Sequence, residues 1–197
     1  MTTTTNTATP DYIVDGVLTD GEAWVPLKTT ILGSDTVGVT WTSSTGANDW
    51  SQYMDLIVIG YSQSTTTANG VIMQFNNDTT VANYEYQDFY SSGSAYAQGS
   101  GTTKGFYLLW SDKHATQNNT YAAGIGRIYD INSGKYKMGI QRFADSRSAS
   151  GYVGTEVSCW TKQEAISEID LIDYNGNAFA AGSRYDLFGV LPRMVTA

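Results

Sequence analysis

From Trp24 onward the apolar residues fall into short runs separated by clusters of Gly, Asn, Ser and Thr, and they do not recur at helical spacing over any useful length. The pattern predicts strands. Residues 53–61 form a near-continuous apolar run, as expected of a strand buried on both faces. Further strands are expected over residues 71–76, 83–90 and 104–110, with a Gly- and Ser-rich loop between the last two. Residues 124–131 and 135–143 flank Asn132-Ser133-Gly134, a hairpin signal in which Gly134 can take positive φ. Within 135–143 the alternation puts Tyr136, Met138 and Ile140 on one face and Lys135, Lys137 and Gln141 on the other, so that strand has one wet face. Residues 152–160, 166–174 and 184–191 complete the set, with Asn175-Gly176 as a second turn. About ten short strands at this spacing predict an all-β antiparallel sandwich, jelly-roll-like in its winding. No internal repeat is visible, which argues against a propeller or solenoid.

The N-terminal stretch differs. A Thr-rich leader precedes a Gly- and Asp-punctuated segment with too few apolar residues for a core of its own. Residues 1–22 are therefore read as an extended arm and 23–197 as the sandwich domain. A floppy terminus is the common outcome for such a segment. Tyr12, Ile13, Val14, Val17 and Leu18 nevertheless give this one something to bury, so it is expected to lie on a partner. The start carries neither a basic flank nor a long apolar run, and no segment is long and apolar enough to be a membrane span, so the mature chain is expected to begin near Met1.

Length and charge narrow the function classes. A chain of 197 residues suits one domain and buries ~70% of its unfolded surface. Its formal net charge of −8, with dispersed Lys and Arg, argues against a nucleic-acid partner. One cysteine, Cys159, excludes an internal disulfide, and it is read as a buried small apolar residue. One histidine, His114, in a polar loop, excludes any site built on paired histidines. No Walker, dinucleotide or Gly-x-Ser-x-Gly signature is present, and no cofactor is expected.

Several patterns invite chemistry. Glu168-Ile169-Asp170-Leu171-Ile172-Asp173 is similar to the strand signature of laminarinase- and lichenase-type glycosidases, which need two carboxyl groups about 5–5.5 Å apart. On a regular strand, however, Glu168 and Asp170 share a face while Asp173 points to the other, and Asp stands where that family has Glu. The plainer reading is an ordinary strand with Ile169 and Leu171 in the core. Asp173, Asn175 and Asn177 open like a calcium loop, but Ala178 and Arg184 stand where that loop needs Gly and Glu, so a turn is expected. Asn76, Asn77 and Asp78 are likewise read as a tight turn. The sequons at Asn77 and Asn118 mean nothing without secretion. Tyr84, Tyr86 and Tyr90 would line one face of a strand, either as sheet packing or as a face that meets a glycan or a protein partner.

The order of the motifs carries a resemblance. Tyr53-x-Asp55-Leu56 is followed by Phe75-Asn76-Asn77-Asp78-Thr79, Asn83-Tyr84 and Arg127-Ile128-Tyr129-Asp130. Then come Trp160, an Ile166-x-x-Ile169-x-Leu171 strand, Asn177-x-Phe179-Ala180-x-Gly182-Ser183 and a closing Leu187-Phe188-Gly189. Over residues 24–190 this order resembles a β-sandwich module that recurs in virion structural proteins of tailed bacteriophages, particularly those of marine and cyanobacterial hosts. The resemblance implies a non-enzymatic component at the surface of the phage particle. Because the chain has no coiled-coil or collagen-like shaft, a capsid decoration or cement protein is expected, bound to the major capsid protein or other virion proteins with the arm laid across neighbouring subunits. Self-association, as a trimer, follows from the way such jelly rolls assemble, although nothing in the sequence fixes the number. The alternative is a tail-attached receptor-binding protein that holds host glycan through the Tyr84 and Tyr86 face, and the remote one is a glycosidase acting through Glu168.

Overall fold

The computed structural model describes residues 1–5, 13–14, 17–18, 24–66, 69–92, 95–113, 121–145 and 151–191. Tyr12, His114 and the sequon at Asn118 lie outside them. The strands are numbered β1 to β15 in chain order. A large sheet runs β1 (Thr2–Thr5), β4 (Trp24–Ile31), β15 (Arg184–Val190), β6 (Asp55–Ser64), β11 (Ala122–Tyr129), β12 (Lys137–Ala144), β13 (Tyr152–Trp160), β8 (Tyr84–Ser92), β9 (Ala95–Thr102), every pair antiparallel. A small sheet runs β5 (Gly38–Thr42), β14 (Glu168–Asp173), β7 (Asn69–Phe75), β10 (Phe106–Lys113), again antiparallel. The two pack face to face as a β-sandwich, joined by a short parallel pairing of β10 with β6. A separate hairpin pairs β2 (Ile13–Val14) with β3 (Val17–Leu18). No helix among the described residues is long and apolar enough to cross a membrane.

The chain winds between the layers. β4, β6, β11 and β15 lie in the large sheet and β5, β7, β10 and β14 in the small one, so the order β4-β15-β6-β11 faces β5-β14-β7-β10. Two excursions, β8–β9 and β12–β13, stay on the large sheet and extend it past the edge of the small one. The leading residues Thr2–Thr5 also join this sheet, each opposite a residue of Lys28–Ile31.

Alternation explains the core. Val25, Leu27, Leu56, Val58, Tyr185 and Leu187 point inward from the large sheet, and Val71, Met73, Phe75, Ile169 and Leu171 meet them from the small one. Within residues 53–61 the apolar run holds for the middle of the strand, where β6 is buried on both faces at Leu56–Val58, whereas Met54 and Tyr61 near its two ends are exposed. Trp41, Trp50 and Trp160 are fully buried, and each donates its indole N–H, to Thr30 Oγ1, Asn48 Oδ1 and Asp78 Oδ2 respectively. A bulge in β10 between Tyr107 and Leu109 turns both Leu108 and Leu109 into the core. Gly124 makes room for that bulge: a Cβ there would lie 2.2 Å from the Leu108 carbonyl oxygen.

Three local expectations change. Residues 95–102, expected as part of a loop, form β9, because pairing along the whole of β8 overrides their weak strand propensity. At the β11–β12 hairpin the positive φ belongs to Asp130 (53°), not Gly134. Buried Asp55 dictates this by accepting from the Asp130 N–H (2.8 Å) and from the Arg127 guanidinium (2.5 Å). Cys159 is half-buried rather than buried, because its strand position falls on the outer face. The other turns stand as read, with Asn76 and Asn77 at φ of 51° and 56° and Gly176 at 79°.

Candidate functional site

The alternation predicted for residues 135–143 is present, but the apolar set faces out. Lys137 and Gln141 are wholly buried, whereas Tyr136, Met138 and Ile140 are exposed. Lys137 is satisfied inside by donating to the carbonyls of Ser133 and Lys135 in the turn that precedes it. The same inversion runs across the neighbouring strands. On β13, Glu156 and Ser158 point in while Val153 and Val157 point out, and on β8 Asp88 points in while Phe89 points out. Across the ladder Gln141, Glu156 and Asp88 stand opposite one another and make a polar row on the inner face.

Glu156 has a structural task in that row. Its Oε1 accepts the backbone N–H of Tyr107 (3.1 Å) and the Ser158 hydroxyl, tying the edge strand β10 to the floor of the large sheet. Burial pushes its carboxyl up to about 8, with the Asp88 charge a minor addition. Burial also raises Asp88.

Outward, the extension of the large sheet is apolar. Phe89, Tyr96, Val153, Met138, Ile140 and Val157 are exposed, Phe89 by 59% and Tyr96 by 79%. Phe89 and Tyr96 stack on each other across β8 and β9 (6.4 Å). Beside them lies a shallow depression of about 660 Å³ lined by Ile59, Ile125, Ala144, Val153 and Phe89, with Arg142 at its side. A smaller hollow, about 200 Å³, continues it between Trp24, Ile57, Ile125 and Ile140. Arg127 on this face is held by Asp55, and Arg142 has no acidic partner among the described residues.

A second surface forms where β10 meets the extension. Tyr86 and Tyr90 lie there half-buried, as the Tyr84, Tyr86 and Tyr90 pattern suggested, but Tyr84 does not join them. Tyr84 is a core residue whose ring packs among Phe75, Phe106 and Trp160, and its hydroxyl donates to the Asp78 carbonyl. Sequence reasoning missed the other members, Tyr107, Trp110, Tyr152 and Tyr174. The β10 bulge puts Tyr107 and Trp110, three residues apart, on the same side, which no simple alternation predicts.

The remaining candidates resolve into structure. Glu168 and Asp170 lie on one face of β14, bonded by Asn77 and by the Thr40 hydroxyl, while Asp173 faces the other way. Asp173 Oδ1 is buried among donors from Asn69, Asn175 and Asn177, which makes it the anchor of a turn. Among the described residues no group of acids, histidines and cysteines is placed to hold a metal ion. Of the arm residues, Ile13 and Val14 pair in the backbone with Leu18 and Val17. The chain matches no family model, no curated protein and no solved structure.

Proposed function

We propose that this chain is a non-enzymatic structural module of a tailed-bacteriophage virion that docks through the outer face of its large sheet onto neighbouring virion subunits, as a capsid decoration or cement protein does. The observation that carries the reading is the inverted extension: Phe89, Tyr96, Met138, Ile140, Val153 and Val157 face outward, while Lys137, Gln141 and Glu156 are buried. A contiguous exposed apolar surface of this kind marks an interaction site, whereas scattered exposed apolar residues are ordinary. It also suits partners that hold a rigid body in place more than it suits turnover of a substrate. The motif order that resembles phage virion modules supports the same reading, and so does the facing of β4-β15-β6-β11 by β5-β14-β7-β10, the nested order of a jelly roll. The particle surface is then its place, other virion proteins its partners, and self-association a use of the same face.

Immunogold labelling of intact particles from the source, with antibody against residues 24–190, tests the reading. Label over the head is expected, and the doubly substituted Ile140→Lys, Val157→Lys protein should fail to decorate stripped heads while keeping its circular dichroism spectrum. Gold confined to the tail end would move the module to the receptor-binding apparatus. No gold on any particle would overturn the reading.

A further inference from the structure

The second surface has a chemistry of its own. Tyr174 stacks on Tyr107 (5.5 Å between ring centres, planes 20° apart), Tyr107 on Trp110 (5.6 Å, 14°) and Trp110 on Tyr152 (5.7 Å, 18°). Tyr152 then meets Tyr90 (5.5 Å), and Tyr86 closes on Tyr107 (6.5 Å). The rings therefore form one continuous row. Centres 5.5–5.7 Å apart with nearly parallel planes describe slipped stacks, since full overlap would bring the planes to ~3.5–4 Å. The four nearly parallel rings, Tyr174, Tyr107, Trp110 and Tyr152, overlap only in part, Tyr90 meets Tyr152 tilted and Tyr86 meets Tyr107 edge-on, and all six side chains are half-buried, so each retains some exposed surface.

Two backbone features keep the row open. Tyr107 lies flat over Gly70, where a Cβ would fall 2.1 Å from its ring. On the other side β9 sets Gly101, Gly99 and Ala97 opposite Tyr86, Asp88 and Tyr90, so β9 raises no large side chain beside them. The five tyrosines of the row carry hydroxyls able to exchange hydrogen bonds with a polyol. Among the described residues Lys104 lies at the row, and it is already held by the Tyr174 carbonyl and ring. A net charge of −8 disfavours an anionic chain.

We propose that the row of Tyr86, Tyr90, Tyr107, Trp110, Tyr152 and Tyr174 binds a neutral polysaccharide, successive pyranose units laying their C–H faces on successive rings. The inference stands apart from the docking reading, because it uses the opposite face of the extension. The row would hold sugar whether the module sits on a head or a tail.

Affinity electrophoresis in native gels containing hydroxyethylcellulose, laminarin, galactomannan or dextran tests it. The full chain should be retarded by at least one of these polymers. Trp110→Ala and Tyr152→Ala should each weaken the retardation at least tenfold, with thermal unfolding run alongside to exclude an unfolded variant. Tyr96→Ala, on the outer face, should leave it unchanged. Migration unaffected by all four polymers overturns the proposal, as does retardation that survives both substitutions in the row. Loss of particle docking by the Ile140→Lys, Val157→Lys protein with retardation intact would leave this proposal standing and separate the two surfaces.

Discussion

The covered half of the large sheet and its extension are built from the same kind of strand but place polar side chains differently, the extension turning several of them inward beside Phe143, Trp160 and Tyr84. In β4, β15, β6 and β11 the inward positions are Val25, Leu27, Tyr185, Leu187, Leu56 and Val58, facing a complete second layer. In β12, β13 and β8 the inward positions include Lys137, Gln141, Glu156, Ser158 and Asp88, and the outward ones Met138, Ile140, Val153, Val157 and Phe89. The difference lies in what covers each half. Four strands of the small sheet lie on the first, whereas among the described residues the second meets chiefly the edge strand β10 and the aromatic row, with Phe75 of β7 reaching Tyr84 and Trp160 at one end. A polar row can terminate a sheet edge by capping its free N–H groups, as Glu156 caps Tyr107, and an apolar row cannot. Apolar residues are thereby released to the outer face.

Substitutions in the two halves should separate them sharply. Phe106→Ala removes a fully buried ring packed edge-on against Phe75, and it should cost about 3–5 kcal/mol in chemical denaturation. Phe89→Ala, on the outer face of the extension, should cost no more than about 0.5 kcal/mol. Equal losses would mean that the outer face is packed and the contrast false. Asp55→Ala, in the covered half, should cost about 1–3 kcal/mol by stranding the Asp130 N–H and the Arg127 guanidinium. Hydrogen exchange at Asp130 should rise in that variant and not in Phe89→Ala.

A further probe is acid–base. Glu156 keeps its proton in the folded chain up to about pH 8, while in the unfolded chain it loses it near ~4.3. Between those values the folded state binds the extra proton, so stability falls as pH rises, by at most ~1.4 kcal/mol per pH unit. Glu156→Gln keeps an oxygen for Tyr107 N–H and Ser158 and should flatten that slope, gaining most over the parent near pH 8. Melting temperatures from pH 4 to pH 8 that decline in parallel for both proteins would show that Glu156 is not buried in its neutral form.

Much of this was legible and some was not. Strand positions followed from apolar runs and breakers, and residues 152–160 coincide with β13. Residues 95–102 hid a strand because Gly and Ser carry no β signal of their own, and only the partner β8 supplies it. Tyr86 and Tyr90 could be marked as a candidate face, but Tyr84 occupies the same alternation and is pulled into the core by Phe75 and Trp160. Tyr107 and Trp110 escaped because a one-residue bulge resets the alternation within β10.

Period and turn chemistry are local, so an all-β chain, its strand segments, its turns at Asn76-Asn77 and Gly176, and the residues of β12 that share a face can be read from the residues alone. Which face lies inside is settled by packing. Alternation is symmetric under exchange of the two faces, and the choice falls to what covers them: Gly124 under the Leu108 carbonyl, Glu156 under the Tyr107 N–H, and the open side beyond Ile140.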